Sequence, residues 1–353
     1  MINKYSSGGG QNTSNKLKQN PLFKDIKEYN KYLLSLVGVL FLVVTGVISY
    51  NLTNASYAKW SSSIESKNII KLSVKEPDYA LDFALANVGQ NGLEQITHTI
   101  DNTLQVDNKF ATEYRYRGGD SVVKNYVTFN NETWRIIGII PTEDTNGNIE
   151  NRFKIVRDTS IGNYAWNTNK TNNWTSATLN TYLNNDYYNT LTSDAKNIIG
   201  TTKYYLGGYS STQITTDVMW QYERKNNANR SGYYYGSNPV MQNDANKKIA
   251  IMYASDYGYG ASKECTSTLY DYYSFANCKT PNNWLDKTQN RWLLTPDSYN
   301  SGVALNVHPI GYVINSSSIS NEDAVLPVLS LSSNIKISGG EGTSGSPYQL
   351  TNS

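Results

Sequence analysis

The chain has 353 residues, which at about 100–200 residues per domain leaves room for one large or two ordinary domains and excludes both a peptide and a long repeat array. Charged residues are only 17%, and about 44 asparagines and 29 tyrosines supply the polarity instead. The formal net charge is +2 with no basic block after residue 31, which argues against a nucleic-acid partner, since such partners demand clustered Lys and Arg.

In chain order, residues 1–31 are rich in Ser, Gly, Asn and Lys without apolar periodicity and read as a disordered cytoplasmic tail. Residues 32–50 follow as 19 uncharged positions, enough at 1.5 Å per residue to cross a hydrocarbon core of roughly 30 Å, so a transmembrane helix is expected. A cleaved signal peptide is the alternative, with Ser56-Tyr57-Ala58 as its small-residue site. The tail carries net charge +4 and the remainder −2. The positive-inside bias then predicts a single-pass protein of the cell membrane, with the lipid bilayer as a partner and residues 51–353 extracellular. Residues 51–78 read as a linker or stalk and 79–353 as the extracellular globular domain.

Within that domain a short helix is predicted from Tyr79, broken at Gly89 and Gly92. Strands are expected at YRYR from Tyr114, at VVKNYVTF, and at Thr133–Ile140, with a turn at Asn130-Asn131. TNGN at Thr145–Asn148 then leads into RFKIVR as a hairpin. Asp144, Asn146, Asn148 and Glu150 alternate like calcium ligands, but Gly147 stands fourth from Asp144, where a calcium loop needs its glycine sixth. Leu179, Tyr182 and Leu183 make one helical face, and Ala195, Ile198 and Ile199 another that stops at Gly200. A helix at TTDVMWQYER, a buried strand over Lys248–Ser255, and late strands from Arg291, Val303, Gly311 and Ala324 complete the series.

The succession YRYRGGD, KNYVTFNNETWRIIGII, W-T-S-A-T-L-N-T-Y-L, IMYASDYGYG, NNW, WLLTPDS, G-Y-V, LPVLSLSSNIKI and G-E-G-T-S-G-S-P-Y-Q-L resembles an uncharacterised family of Gram-positive surface proteins over roughly residues 78–350. That family in turn resembles the C-type lectin-like and formylglycine-generating-enzyme-like folds. The resemblance implies an α+β domain in which WRIIGII and AVLPVLSL share an antiparallel sheet, two short helices pack against it, and residues 201–290 form a long loop-rich excursion. The family's late strand usually reads Val-Arg-Pro-Val, whereas this chain has Leu326 at the arginine position.

Cys265 and Cys278, the only cysteines, stand 13 positions apart and are expected to form a disulfide. The two histidines, His98 and His308, are too few for a three-His iron site or, with the cysteines paired, a zinc site. Each reads as a surface or capping residue. Ser193–Lys196 and Ser333–Lys336 match Ser-x-x-Lys without its companion motifs, and no G-x-S-x-G occurs. No catalytic residue, metal or cofactor is therefore expected. Trp134, Trp174 and Trp292 read as core. Tyr234, Tyr235, Tyr257 and Tyr259 lie among Gly, Asn and Ser and read as loop residues able to contact an extracellular protein or carbohydrate, because tyrosine gives large contact area at low entropy cost. The function expected is ligand recognition or adhesion at the surface, with an extracellular enzyme acting on cell-wall substrates as the alternative.

Overall fold

In the computed structural model, which describes residues 77–226 and 241–353 and six residues between Asn30 and Leu40, hairpins form where the sequence tolerates a left-handed backbone. Asn130 and Asn131 have φ of 54° and 57°. They make the two-residue turn whose twist matches its strands, joining β3 (Tyr126–Phe129) to β4 (Glu132–Glu143). The next turn carries β4 into β5 (Ile149–Arg157). Asp144 Oδ1 closes it by accepting from the backbone N–H groups of Asn146 and Asn148, both at 2.8 Å. The alternating acid and amide residues there are turn chemistry.

Upstream, Asp78 caps α1 (Tyr79–Asn87) by accepting from the Leu81 N–H at 3.0 Å. β1 (Leu93–Thr97) pairs antiparallel with β2 (Thr112–Tyr116). With β13 (Val328–Ser330), these strands build a sheet of order β1-β2-β4-β5-β13, and β3 lies beside the start of β4. A bulge at Gly138 breaks the β4–β5 register. A side chain there would put its Cβ 2.1 Å from the Tyr114 carbonyl oxygen, so only glycine lets β2 close against β4.

A second sheet takes β6 (Asn163–Ala165), β9 (Arg291–Pro296), β10 (Val303–Val307), β11 (Val313–Ser318) and β12 (Glu322–Ala324) in the order β11-β10-β9-β12-β6. β12 meets β9 in parallel. The helical pieces are short. α2 (Thr178–Tyr182) passes through a π turn (Leu183–Tyr187) into Tyr188–Thr190 and buries Leu179 and Leu183. Thr192 caps α3 (Ser193–Ile198). α4 (Thr216–Arg224) and α5 (Ala254–Gly260) follow. β7 (Tyr204–Tyr205) pairs with β8 (Met241–Gln242), and β14 (Ile335–Gly339) with β15 (Gln349–Asn352). Trp134, Trp174 and Trp292 are at most 1% exposed and sit in one apolar cluster.

Cys265 and Cys278 form a disulfide with Cα atoms 5.0 Å apart. The loop they close carries a 3-10 turn at Tyr270–Ser274. Tyr270 and Tyr273, 36% and 37% exposed, meet edge-on at a ring-centre distance of 6.1 Å. Tyr312, just before β11, lies 5.3 and 5.1 Å from them. His308 stacks on Tyr312 at 4.6 Å.

Three expectations are corrected. Among the described residues no helix is long and apolar enough to cross a membrane. Spanning needs about 20 consecutive apolar residues, whereas the helical residues described in that region are Asn30, Leu33, Ser35, Leu36, Val37 and Leu40. No membrane-spanning helix is therefore found among the described residues, against the expected transmembrane helix and single-pass localisation; the other positions of 32–50 lie outside the described residues. Second, the α+β arrangement of one antiparallel sheet with two helices is replaced by mixed sheets with few, short helices. Its physical cause is visible at Pro327, which lacks a backbone donor and divides AVLPVLSL between β12 in one sheet and β13 in the other. Leu326, beside that proline, is buried at 3% exposure. Third, Lys248–Ser255 is not a strand. Only Ala250 bridges to Val328, and from Ala254 the chain turns into α5, whose Asp256 carboxylate accepts from the Tyr253 N–H at 2.9 Å.

Candidate functional site

Alternation along β2 sends Glu113 and Arg115 to one side and Tyr114 and Tyr116 to the other, and all four are buried. Burying charge is unfavourable unless each charge finds a partner, and here the partners come from distant segments. Arg115 donates to Glu113 through Nε at 2.6 Å and Nη2 at 3.1 Å, and to Asp256 Oδ1 through Nη1 at 2.8 Å. Lys154, on β5, donates to Asp256 Oδ2 at 2.6 Å. Asp256 thus ties β2 and β5 together while holding the start of α5. Burial opposes its charge, but Lys154 and Arg115 outweigh that and keep its carboxyl below the ordinary value. Burial pulls Lys154 down, helped by Arg115 and Arg224 and opposed by Asp256.

The network continues to His98, only 4% exposed. Its Nε2 lies 3.0 Å from Glu113 Oε1 and its Nδ1 2.6 Å from Asp217 Oδ1 on α4. With both nitrogens facing carboxylates, the protonated imidazole is favoured. Burial works against that charge, yet Asp217 and Glu113 raise the His98 pKa above its ordinary value. The ring stacks on Trp220 at 3.6 Å with planes 10° apart. Sequence reading had placed His98 at the surface, and burial between two acids corrects that. The one available signal was the alternation of acid, base and tyrosine in T-E-Y-R-Y, a pattern that a solvated strand does not need.

At the end of α4, Glu223 is fully buried and accepts from Ser255 N–H at 3.1 Å, from Thr295 Oγ1 at 2.6 Å and from Ser255 Oγ. Burial raises its pKa. Arg224 differs. Its side chain is 6% exposed, and its Nη1 stands 3.7 Å from Glu223 Oε2. It donates a long hydrogen bond, 3.4 Å, to the Trp220 carbonyl and faces the rings of Trp220 at 4.6 Å and Tyr253 at 5.4 Å. Arg224 lines a cavity of about 40 Å³ together with Lys154, Lys203, Tyr204, Tyr205 and Tyr253. Lys203 is already paired with Glu143 at 2.7 Å, and Glu143 also accepts from the Tyr205 hydroxyl.

Of the expected contact tyrosines, the two that are described do not lie on a loop surface. Tyr234 and Tyr235 lie outside the described residues. Tyr257 and Tyr259 are 0% and 6% exposed on α5. Tyr257 donates to the Gly311 carbonyl at 2.9 Å, and the Tyr259 ring lies edge-on to His98 at 5.7 Å. The glycine between them, Gly258, serves close packing rather than a loop. A Cβ on Gly258 would lie 2.3 Å from Thr216 Oγ1, so α5 and α4 could not approach.

This framework lies largely within a recognisable domain. Residues 150–333, from the start of β5 to just past β13, match a family described as a domain of unknown function, DUF6273. The match spans more than half of the 353 residues, and the chain belongs to that family. No curated protein and no solved structure matches the chain. Lys154, Glu223, Arg224, Tyr253 and Asp256 fall inside the matched span, whereas His98, Glu113 and Arg115 precede it.

Proposed function

We propose that the domain is a ligand-recognition module whose ligand docks at the cavity between β5, the Lys203–Tyr205 segment and the end of α4. The observation that supports this best is Arg224, a buried guanidinium facing the cavity without the close carboxylate that Lys154 and Lys203 each have. Leaving a buried cation so weakly paired lowers stability. A guanidinium so placed at a cavity can offer its N–H groups to an incoming acceptor. The rest of the network supplies rigidity, since Asp256 fixes Lys154 and Arg115 while Glu223 is satisfied by Ser255 and Thr295. Recognition then needs little rearrangement, which reduces the ordering cost of binding.

The test is a crystallographic soak of the full chain with a diverse fragment set. Fragments should concentrate in the cavity at Arg224. Fragments gathered on the exposed Tyr270, Tyr273 and Tyr312 face, with the cavity empty, would sink the reading. So would chemical turnover of a bound fragment, which would favour an enzyme.

A further inference from the structure

We infer that the cavity at Arg224 takes a singly charged carboxylate, the head group of a small organic acid or of a larger molecule bearing one; this rests on the recognition reading above. Size is the first argument. Pockets that hold whole drug-sized ligands measure roughly 300–1,000 Å³, whereas this cavity is about 40 Å³. It accommodates a functional group, with the remainder of any larger ligand outside.

Charge is the second argument. Of the three cations lining the cavity, Lys154 is matched by Asp256 at 2.6 Å and Lys203 by Glu143 at 2.7 Å. Glu223, the carboxylate nearest Arg224 among the described residues, is 3.7 Å away and takes its hydrogen bonds from Ser255 and Thr295. Glu223 therefore balances the charge of Arg224 but leaves its guanidinium N–H groups without a close acceptor among the described residues, and the cavity lining itself holds three cations and no acid. A dianion such as sulfate would bring a second negative charge among Asp256, Glu143 and Glu223, and a neutral group would leave Arg224 as it is.

Geometry is the third argument. A guanidinium presents parallel N–H groups that match the two oxygens of a carboxylate. The Trp220 and Tyr253 rings lie near the Arg224 guanidinium, limiting its swing and keeping that fork pre-set for an incoming group.

Acetate serves as the probe. Isothermal titration of the full chain with acetate, sulfate and chloride at matched ionic strength should show saturable binding of acetate, with sulfate and chloride weaker. Arg224→Gln should abolish it. Arg224→Lys, which keeps the charge and loses the fork, should weaken it by about tenfold or more. Circular dichroism checks that both variants are folded, and if the Gln variant is not, the Lys variant decides. Sulfate binding as tightly as acetate, or acetate binding unchanged in the folded Lys variant, overturns the inference. Neutral fragments seated in the cavity of a chain that ignores acetate would overturn it too, while leaving the recognition reading intact.

Discussion

Two tyrosine-rich stretches of this chain, Asp256–Gly260 and Tyr270–Tyr273, have similar composition and opposite fates. In the first, Tyr257 and Tyr259 are buried because the intervening Gly258 lets α5 settle against α4, and Asp256 anchors the segment with two ion pairs. In the second there is no glycine. Tyr272 turns inward at 1% exposure while Tyr270 and Tyr273 stay at the surface, within a loop closed by Cys265 and Cys278. One stretch is held by buried charge and close packing, the other by a covalent link. Composition is blind to that difference; what decides it is the small residue that permits an approach and the charge that finds a partner.

The comparison is broken most directly at Asp256. Asp256→Asn leaves Lys154 and Arg115 short of a counter-charge, and removing one member of a buried ion pair costs about 3–5 kcal/mol. Tyr270→Ala, on the exposed side, should change stability by about 0.5 kcal/mol or less. Urea unfolding of both variants measures the contrast. A loss under about 1 kcal/mol for Asp256→Asn would mean that the charge centre does not hold the domain together. The cystine loop comes next. Replacing both cysteines with serine should cost about 3 kcal/mol on the chain-entropy view of a loop this short, the residues being 13 apart. Thermal unfolding with and without reductant shows it, and an unchanged midpoint would remove the loop from the stability of the fold.

Much of the scaffold was legible because it rests on local rules. The Asn130-Asn131 and Asn146-Gly147 turns, the helices at Tyr79 and Ser193, the helical faces around Leu179–Leu183 and in TTDVMWQYER, and the buried tryptophans all follow from turn chemistry and periodicity. The site was not legible, because its contacts are long-range. Arg115 and Asp256 are 141 positions apart, and Lys154 and Asp256 are 102 apart. No spacing rule connects such residues, and single charges in a sequence look solvated until the fold buries them. Lys248–Ser255 failed for a related reason. Its apolar run reads as a strand, but the carboxylate of Asp256 caps the backbone at Tyr253 and starts a helix instead.

His98 gives a pH-dependent way to sharpen the contrast, smaller than the deletions above. Its folded pKa is raised above the ordinary 6.5. The charged form is therefore favoured in the folded state, and its contribution is fully present below pH 6.5 and lost as pH rises through the folded value. Wild type should accordingly lose stability relative to His98→Asn as pH climbs above 6.5. Groups on every side take part: Asp217 and Arg224 from α4, Glu113 from β2, and Tyr259 from α5. Paired urea titrations across that range give the difference, and a difference independent of pH would show that His98 does not carry the charge.

The finest probe is a single hydroxyl removed from each stretch. Tyr257→Phe deletes the donor to the Gly311 carbonyl, in a region where both residues are buried. An acceptor orphaned by burial costs about 1–3 kcal/mol, partly offset because the phenylalanine ring still fills the space. Tyr273→Phe removes a hydroxyl from a ring 37% exposed and keeps its edge contacts with Tyr270 and Tyr312, so the expected change is within about 0.5 kcal/mol. The two substitutions are chemically identical, so the side-chain transfer terms largely cancel and the gap between them reports burial alone. Equal effects in thermal unfolding would mean that Tyr257 reaches solvent, and the division between a buried and an exposed tyrosine stretch would collapse.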